Sequence, residues 1–436
     1  MAFTQFKHSG TLNPEISVCE KKHSSFAEKA AEEGIVLLKN ENILPISLSA
    51  SVALLGIGAD KTVKGGIGSG DVNNRQNITI YEGMEESGIR ITSRDWLDDY
   101  EHRYQKARLI WKEKILEEAK HVNNPFDAYA SNPFIMPEGR PVSEMDIQEA
   151  EIVVYVISRI SGEGKDRRLE KGDYYLSERE EKDILFLNSR CVPIVLLINA
   201  GGPVELTDIL EKAQWIKGIL NISQLGQEGE RAVARILLGE AVPSGKLTTT
   251  WAKKYADVPF AENFSYLNGN LELEEYKEGI YVGYRYFDSF GVKPLFPFGF
   301  GLSYTKFEVQ LLSADENADG ITAVATVKNI GARPGKEVVQ LYCTAPQGLL
   351  GKPSKVLCAF AKTKTLAPGE SQTLMLTAPW RNFASYDDSG ATGYKSAFVL
   401  EAGDYIFSLG TDVRHAAETF TVILPLMVVE QQESAA

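Results

Sequence analysis

Four short apolar runs, at residues 51–57, 152–157, 193–198 and 215–222, constrain this chain more than any other feature. Each is too short for a buried helix and rich in β-branched residues. That combination marks strands covered on both faces, as in a parallel sheet. Amphipathic segments lie between them. Ser25 and Glu28 stand at capping-box spacing and predict a helix through Ala31 that runs into residues 34–38. Ser177 and Glu180 repeat the spacing ahead of Ile184, Leu185 and Leu187, and Gly239 is placed to end a helix that starts at Glu230. Strand and helix in alternation predict an open α/β sheet with right-handed crossovers. Residues 95–146 break the rhythm with a charged helical stretch at 104–120 and an Asn/Pro-rich run at 123–141, read as an insertion on the sheet. Beyond about residue 304 the pattern changes to short alternating runs between Gly, Pro and Asp turns, the signature of a β-sandwich.

Charge and composition exclude several functions. Lys and Arg number 46 against 59 Asp and Glu, a formal charge of −13. Nucleic acid or an anionic membrane surface would call for a basic face instead. No apolar run reaches the roughly 18–20 residues of a membrane span. The first residues lack the apolar core of a signal peptide, so the expected location is the cytoplasm. Cys19, Cys191, Cys343 and Cys358 show no C-x-x-C spacing and are read as free buried thiols. The five histidines make no pair at helical spacing, so neither metal nor other cofactor is expected.

Two loops follow predicted strands, where open α/β sheets bind ligands. The first is Gly65-Gly-Ile-Gly-Ser-Gly70-Asp-Val-Asn. It departs from the dinucleotide fingerprint, because Asp71 stands in place of the third glycine, and Gly239 to Gly245-Lys246-Leu247 departs from a phosphate loop in spacing and in Leu247. The second is Ser161-Gly-Glu-Gly-Lys-Asp-Arg167, whose Glu163 is flanked by glycines and free to reach into a cleft. General acid catalysis needs such a carboxyl within about 3 Å of a leaving-group oxygen. A solvated loop carboxylate is the plain alternative. No Gly-x-Ser-x-Gly elbow supports a serine nucleophile.

Taken in order, several blocks resemble glycoside hydrolase family 3, the β-glucosidase family, over nearly the whole chain. They include Ala31-Glu-Glu-Gly-Ile-Val-Leu-Leu-Lys-Asn40, the two loops above, Asn199-Ala-Gly-Gly-Pro-Val-Glu-Leu206, Gly226-Gln-Glu-Gly229, Pro243-Ser-Gly-Lys-Leu247 and Pro294-Leu-Phe-Pro-Phe-Gly-Phe-Gly-Leu-Ser-Tyr304. The aromatic-rich stretch from Tyr276 to Asp288 belongs with them, and is read as packing between domains rather than a sugar platform. The resemblance implies a mostly parallel, six-stranded α/β sandwich over residues 1–250, a connector at 251–304, a fibronectin III-like domain at 305–427 and a linker-like tail at 428–436. It also implies Glu163 as general acid/base and Ser69 as a residue approaching the bound sugar. Asp166 and Arg167 are read as an ion pair supporting the Glu163 loop, with a surface pair worth under ~1 kcal/mol as the alternative.

Family members also carry a (β/α)8 barrel that bears the nucleophilic Asp. A barrel needs roughly 250 residues, and no stretch of that length is left over. Ser93-Arg-Asp-Trp96 is superficially similar to the nucleophile motif, but it sits in the wrong domain with Arg inserted. The expected partners are thus a β-glycoside or oligosaccharide substrate and a barrel domain or subunit, as in members with sandwich, fibronectin-like domain and barrel in that order. The alternative is a non-hydrolytic carbohydrate-binding or assembly module.

Overall fold

The computed structural model describes residues 15–66, 70, 72, 74, 76–160, 167–270 and 272–432. Its first half is one six-stranded sheet of β1 (Val36–Asn40), β2 (Ser51–Leu55), β3 (Arg90–Ile91), β4 (Ile152–Ser158), β5 (Ile194–Asn199) and β6 (Ile216–Asn221), in spatial order β1-β6-β5-β4-β2-β3. Every pair is parallel except β1 with β6. The four apolar runs became β2, β4, β5 and β6. Every residue of β2, β4 and β5 is buried, which is why those runs do not alternate.

Among the described residues eight helices accompany the sheet: α1 (Val18–Gly34), α2 (Ile80–Glu86), α3 (Arg94–Glu118), α4 (Pro125–Ser131), α5 (Glu144–Ile147), α6 (Glu178–Ser189), α7 (Thr207–Lys212) and α8 (Gly229–Leu238). The Ser177–Glu180 capping box opens α6, and Gly239 closes α8 in the left-handed conformation. The start of α1 differs from expectation. Ser17 and Glu20 carry the same capping chemistry two turns upstream of Ser25 and close a reciprocal box there, which leaves Ser25 inside the helix. The insertion begins as α3, whose first two turns bury Trp96, Leu97 and Tyr100. Farther out an aromatic chain braces it, with Phe134 edge-on to both Tyr104 and Trp111 at ring separations of 5.3 and 5.6 Å.

The second core is all antiparallel. Its strands are β7 (Phe307–Asn317), β8 (Gly320–Asn329), β9 (Val338–Thr344), β10 (Val356–Lys362), β11 (Ser371–Pro379), β12 (Ser385–Asp387), β13 (Ala397–Leu400), β14 (Gly403–Gly410), β15 (Ala416–Leu424) and β16 (Met427–Gln431). They form three sheets, ordered β10-β9-β14-β15, β11-β8-β7 and β12-β13-β16. Leu341, Tyr405, Phe407, Ile321 and Leu376 fill the space between. The tail expected to be linker-like therefore begins as a strand: β16 pairs with β13, with Val399 opposite Val428. Its polar residues occupy an edge, where one side of the strand meets water.

The connector is more structured than an extended segment. Trp251 bridges to Phe296, Leu302 bridges to Leu37 of β1, and α9 (Tyr284–Ser289) lies against the sandwich. There Tyr284 stacks on Phe298, meets Tyr342 edge-on and accepts a hydrogen bond from Leu357 N at 2.9 Å. Tyr281 and Tyr284 thus pack on the sandwich, whereas Tyr276 is 87% exposed. Ion pairs join the halves as well: Lys246 to Glu337 at 2.8 Å, and Glu33 of α1 to both Lys336 and Lys362. All four cysteines are free, but only Cys343 and Cys358 are buried, and burial pushes the Cys358 thiol up to about 12. Cys19 and Cys191 are exposed because they sit on the first turn of α1 and just past the end of α6.

Candidate active site at the carboxyl edge of the sheet

Five parallel strands end on the same edge, and two neighbouring ones, β2 and β4, lead into the two motif loops. Ser69, Glu163 and Asp166 lie outside the described residues. The residues that flank them are held by a network of hydrogen bonds.

Asn199, the last residue of β5, is the hub. It is 1% exposed. Its carbonyl oxygen accepts from Val63 N at 2.8 Å and from Ser158 Oγ at 2.7 Å, while its amide donates to Val63 O at 2.8 Å and Ser223 O at 2.7 Å. One side chain therefore ties the loop after β2, the end of β4 and the loop after β6 to the central strand. The contact between β2 and β4 leaves no room for side chains at positions 56 and 58. A Cβ on Gly56, which has φ 94°, would fall 2.2 Å from Val156 O, and one on Gly58 would fall 1.8 Å from Ser158 Oγ.

The loop holding Glu163 leaves from Arg159 and Ile160. Arg159 is 5% exposed, and its guanidinium is fully used. It grips Glu180 with two nitrogens at 2.8 and 2.7 Å and donates to the carbonyls of Ser158, Asp173 and Tyr175. Glu180 simultaneously accepts from Ser177 N at the start of α6. On the far side of the loop, Arg167 meets Asp173 at 2.5 Å and donates to Asp173 O and Pro203 O. The carboxylate partner of Arg167 among the described residues is thus Asp173, which also accepts from Arg168 N at 2.7 Å. Arg159 and Arg167 both donate to Asp173 O, so the residues flanking the loop on either side are anchored to the same stretch of backbone.

The other motif loop is stapled to α8. Gly226 N donates to Lys64 O at 3.1 Å, and Lys64 pairs with buried Glu230 at 2.6 Å. Burial raises the Glu230 carboxyl, and the nearby Lys64 ammonium opposes that rise. Glu228 is 1% exposed and is bonded to Ser24, Gln76 and Arg231. The Ser93-Arg-Asp-Trp96 stretch has a structural role: Ser93 Oγ bonds Leu54 N and O at 2.8 and 2.7 Å, and Asp95 is an exposed residue on the first turn of α3.

The sequence reading named the loop residues and missed what holds them: Arg159, Asp173, Glu180 and Asn199. Asn199 had a signal, since it opens the Asn-Ala-Gly-Gly-Pro block. Glu180 was legible only as a helix cap. Nothing local marks Asp173.

Residues 35–304 match the glycosyl hydrolase family 3 C-terminal domain, and residues 337–413 a fibronectin type III-like domain. A β-glucosidase of Ruminococcus albus is 37% identical over 421 residues, which are 94% of this chain and 42% of that protein. β-Glucosidase A of Butyrivibrio fibrisolvens is also 37% identical, covering 92% of this chain and 51% of the relative. Among solved structures, β-glucosidase 3B of Thermotoga neapolitana in complex with glycerol superposes with a TM-score of 0.81 at 37% identity, over 94% of this chain and 55% of its own. A β-glucosidase from Paenibacillus barengoltzii gives 0.83 at 36% identity, over 94% and 45%. The chain spans about half the length of these relatives, and its described residues contain no (β/α)8 barrel. Matched across both of its cores and at the carboxyl-edge loops, the chain belongs to glycosyl hydrolase family 3.

Proposed function

We propose that this chain supplies the acid/base half of a retaining β-glucosidase-type site, completed by a (β/α)8 barrel domain or subunit that carries the nucleophile. The observation that carries the reading is the shared anchorage of the residues flanking the Glu163 loop, where Arg159 and Arg167 both grip Asp173 O beyond the end of β4, in a chain matched over most of its length by β-glucosidases. A carboxyl on a loop pinned at its root is positioned for a second body that faces this edge of the sheet.

In a retaining mechanism the two carboxyls stand about 5–5.5 Å apart. Glu163 protonates the glycosidic oxygen as the barrel carboxylate attacks the anomeric carbon. It then takes a proton from water, which attacks the glycosyl intermediate and releases the sugar. Ser69, on the neighbouring loop, approaches the sugar bound between the two bodies. Neither step requires a metal or an organic cofactor, since both proton transfers run through the one carboxyl.

The test is complementation. The purified chain should hydrolyse 4-nitrophenyl β-glucoside no faster than buffer, and addition or fusion of a relative's barrel should restore turnover. Robust hydrolysis by the chain alone would place the nucleophile within it and overturn the division of labour.

A further inference from the structure

Beside the root of the Glu163 loop, a cleft of about 410 Å³ opens between residues 134–139 and the carboxyl end of β4. Small-molecule sites occupy roughly 300–1,000 Å³. One wall is apolar, built by Ile57, Phe134, Ile135 and Met136. Its rigidity follows from its bonding. Tyr100 donates its hydroxyl to Pro137 O and Trp96 its indole N–H to Arg140 O, both at 3.2 Å. A Cβ on Gly139 would lie 2.5 Å from the Trp96 ring, so the backbone lies close against the indole. Arg140 in turn grips Asp146 with two nitrogens at 2.8 and 2.5 Å. A wall held this way loses little freedom when it takes a ligand.

The opposite wall is polar, but its charges are already paired. Arg159 is held by Glu180, Asp173 by Arg167 and Asp183 by Arg179 at 3.2 Å. Lys171 reaches Glu181, and Arg168 reaches Glu170. An ionic ligand would have to break one of these pairs. Glu138 is the exception on the rim: it is exposed and makes no hydrogen bond or ion pair with the described residues. Among the described residues the cleft therefore offers an apolar face, no unpaired cation and one free carboxylate acceptor.

We propose that this cleft takes the leaving-group ring of the substrate, a neutral ring carrying hydroxyls that lies on Ile57, Phe134 and Met136 and donates one hydroxyl to Glu138. The name leaving group rests on the glycosidase reading; the binding chemistry does not. Two sources share that chemistry, a second sugar and a phenolic aglycone.

Titration calorimetry of the purified chain with cellobiose and, separately, with resorcinol tests the site and tells the sources apart. At least one probe should bind saturably at millimolar concentration. Glu138→Lys, an exposed change compatible with folding, should weaken that probe at least fivefold, and Met136→Arg should abolish binding. Glu308→Lys on the distant sandwich should leave it unchanged. Saturation by neither probe, or wild-type affinity in either folded variant, overturns the proposal. If complementation never yields activity yet Glu138→Lys still weakens binding, the glycosidase reading fails and the cleft stands. If activity returns while binding ignores both substitutions, the cleft falls and the glycosidase reading stands.

Discussion

Arg159 and Glu180 form a two-pronged ion pair whose side chains are only 4% and 5% exposed, and it sits directly behind the root of the loop that holds Glu163. The arginine arrives on the end of β4 and the glutamate on the first turn of α6, so the pair fixes helix to strand. Because Arg159 also collects three backbone carbonyls, it satisfies an irregular segment that has no ladder of its own.

Breaking that pair should be severe. Removing one member of a buried pair typically costs about 3–5 kcal/mol, because the other is left charged and unpaired. Arg159→Ala should lower urea stability by that order, and Glu180→Gln, which keeps the shape and a capping oxygen, by less. Equal stability of Arg159→Ala and wild type would show that water replaces the guanidinium.

Asn199 should tolerate neither deletion nor an isosteric change. Asn199→Ala leaves buried groups of Val63, Ser158 and Ser223 without partners, each worth about 1–3 kcal/mol. The expected loss is at least about 3 kcal/mol. Asn199→Asp should be equally harmful despite its shape, because two carbonyls would then face an acceptor instead of a donor. Chemical denaturation of the three proteins checks the order.

Burial raises the Asp183 carboxyl to about 6, against the hydrogen bond it accepts from Val142 N and the charge of Arg179. Its folded pKa lies above the unfolded one, so the native state binds the extra proton, and stability attributable to this group falls as pH rises from about 4 to about 6. Asp183→Asn removes that dependence. The variant should gain on wild type by roughly 3 kcal/mol across this window and hold the gain at higher pH. A pH-independent difference would contradict the shift.

Glu33 has the opposite sign. Burial works against its charge, but hydrogen bonds from Lys336 and Lys362 prevail and hold its carboxyl below the ordinary range. Its contribution to joining the two cores is therefore present above the usual glutamate pKa and is lost as pH falls through the lowered value. Glu33→Gln should loosen the sandwich against α1 at neutral pH, read as faster amide exchange around Lys336 and Lys362. The difference should vanish in acid.

Glu163 is tested in the barrel-completed protein. Glu163→Ala should slow substrates with poor leaving groups far more than activated aryl glycosides, since an activated group departs without protonation. Azide should partly rescue turnover by replacing base-assisted water in the second step. An equal loss on all substrates without rescue would move the acid/base role to Asp166 or Glu170.

The strands of the first core were legible because burial on both faces demands uninterrupted β-branched runs, as at residues 152–157 and 193–198. Short-range chemistry was equally legible: the Ser177–Glu180 box and Gly239 each act within one turn of helix. Where two candidates offered the same local chemistry, as Ser17 and Ser25 did, local rules could not choose between them. The tail at 428–431 became a strand because β13 offered it an open edge, which no property of those residues announces. The clamp on the candidate site was beyond sequence for the same reason. Arg159 meets Glu180 across 21 positions and Asn199 meets Val63 across 136. Residue type and spacing determined which loops carry the chemistry; only the packing of parallel strands side by side decided what holds them, because those partners become neighbours only after the sheet has formed.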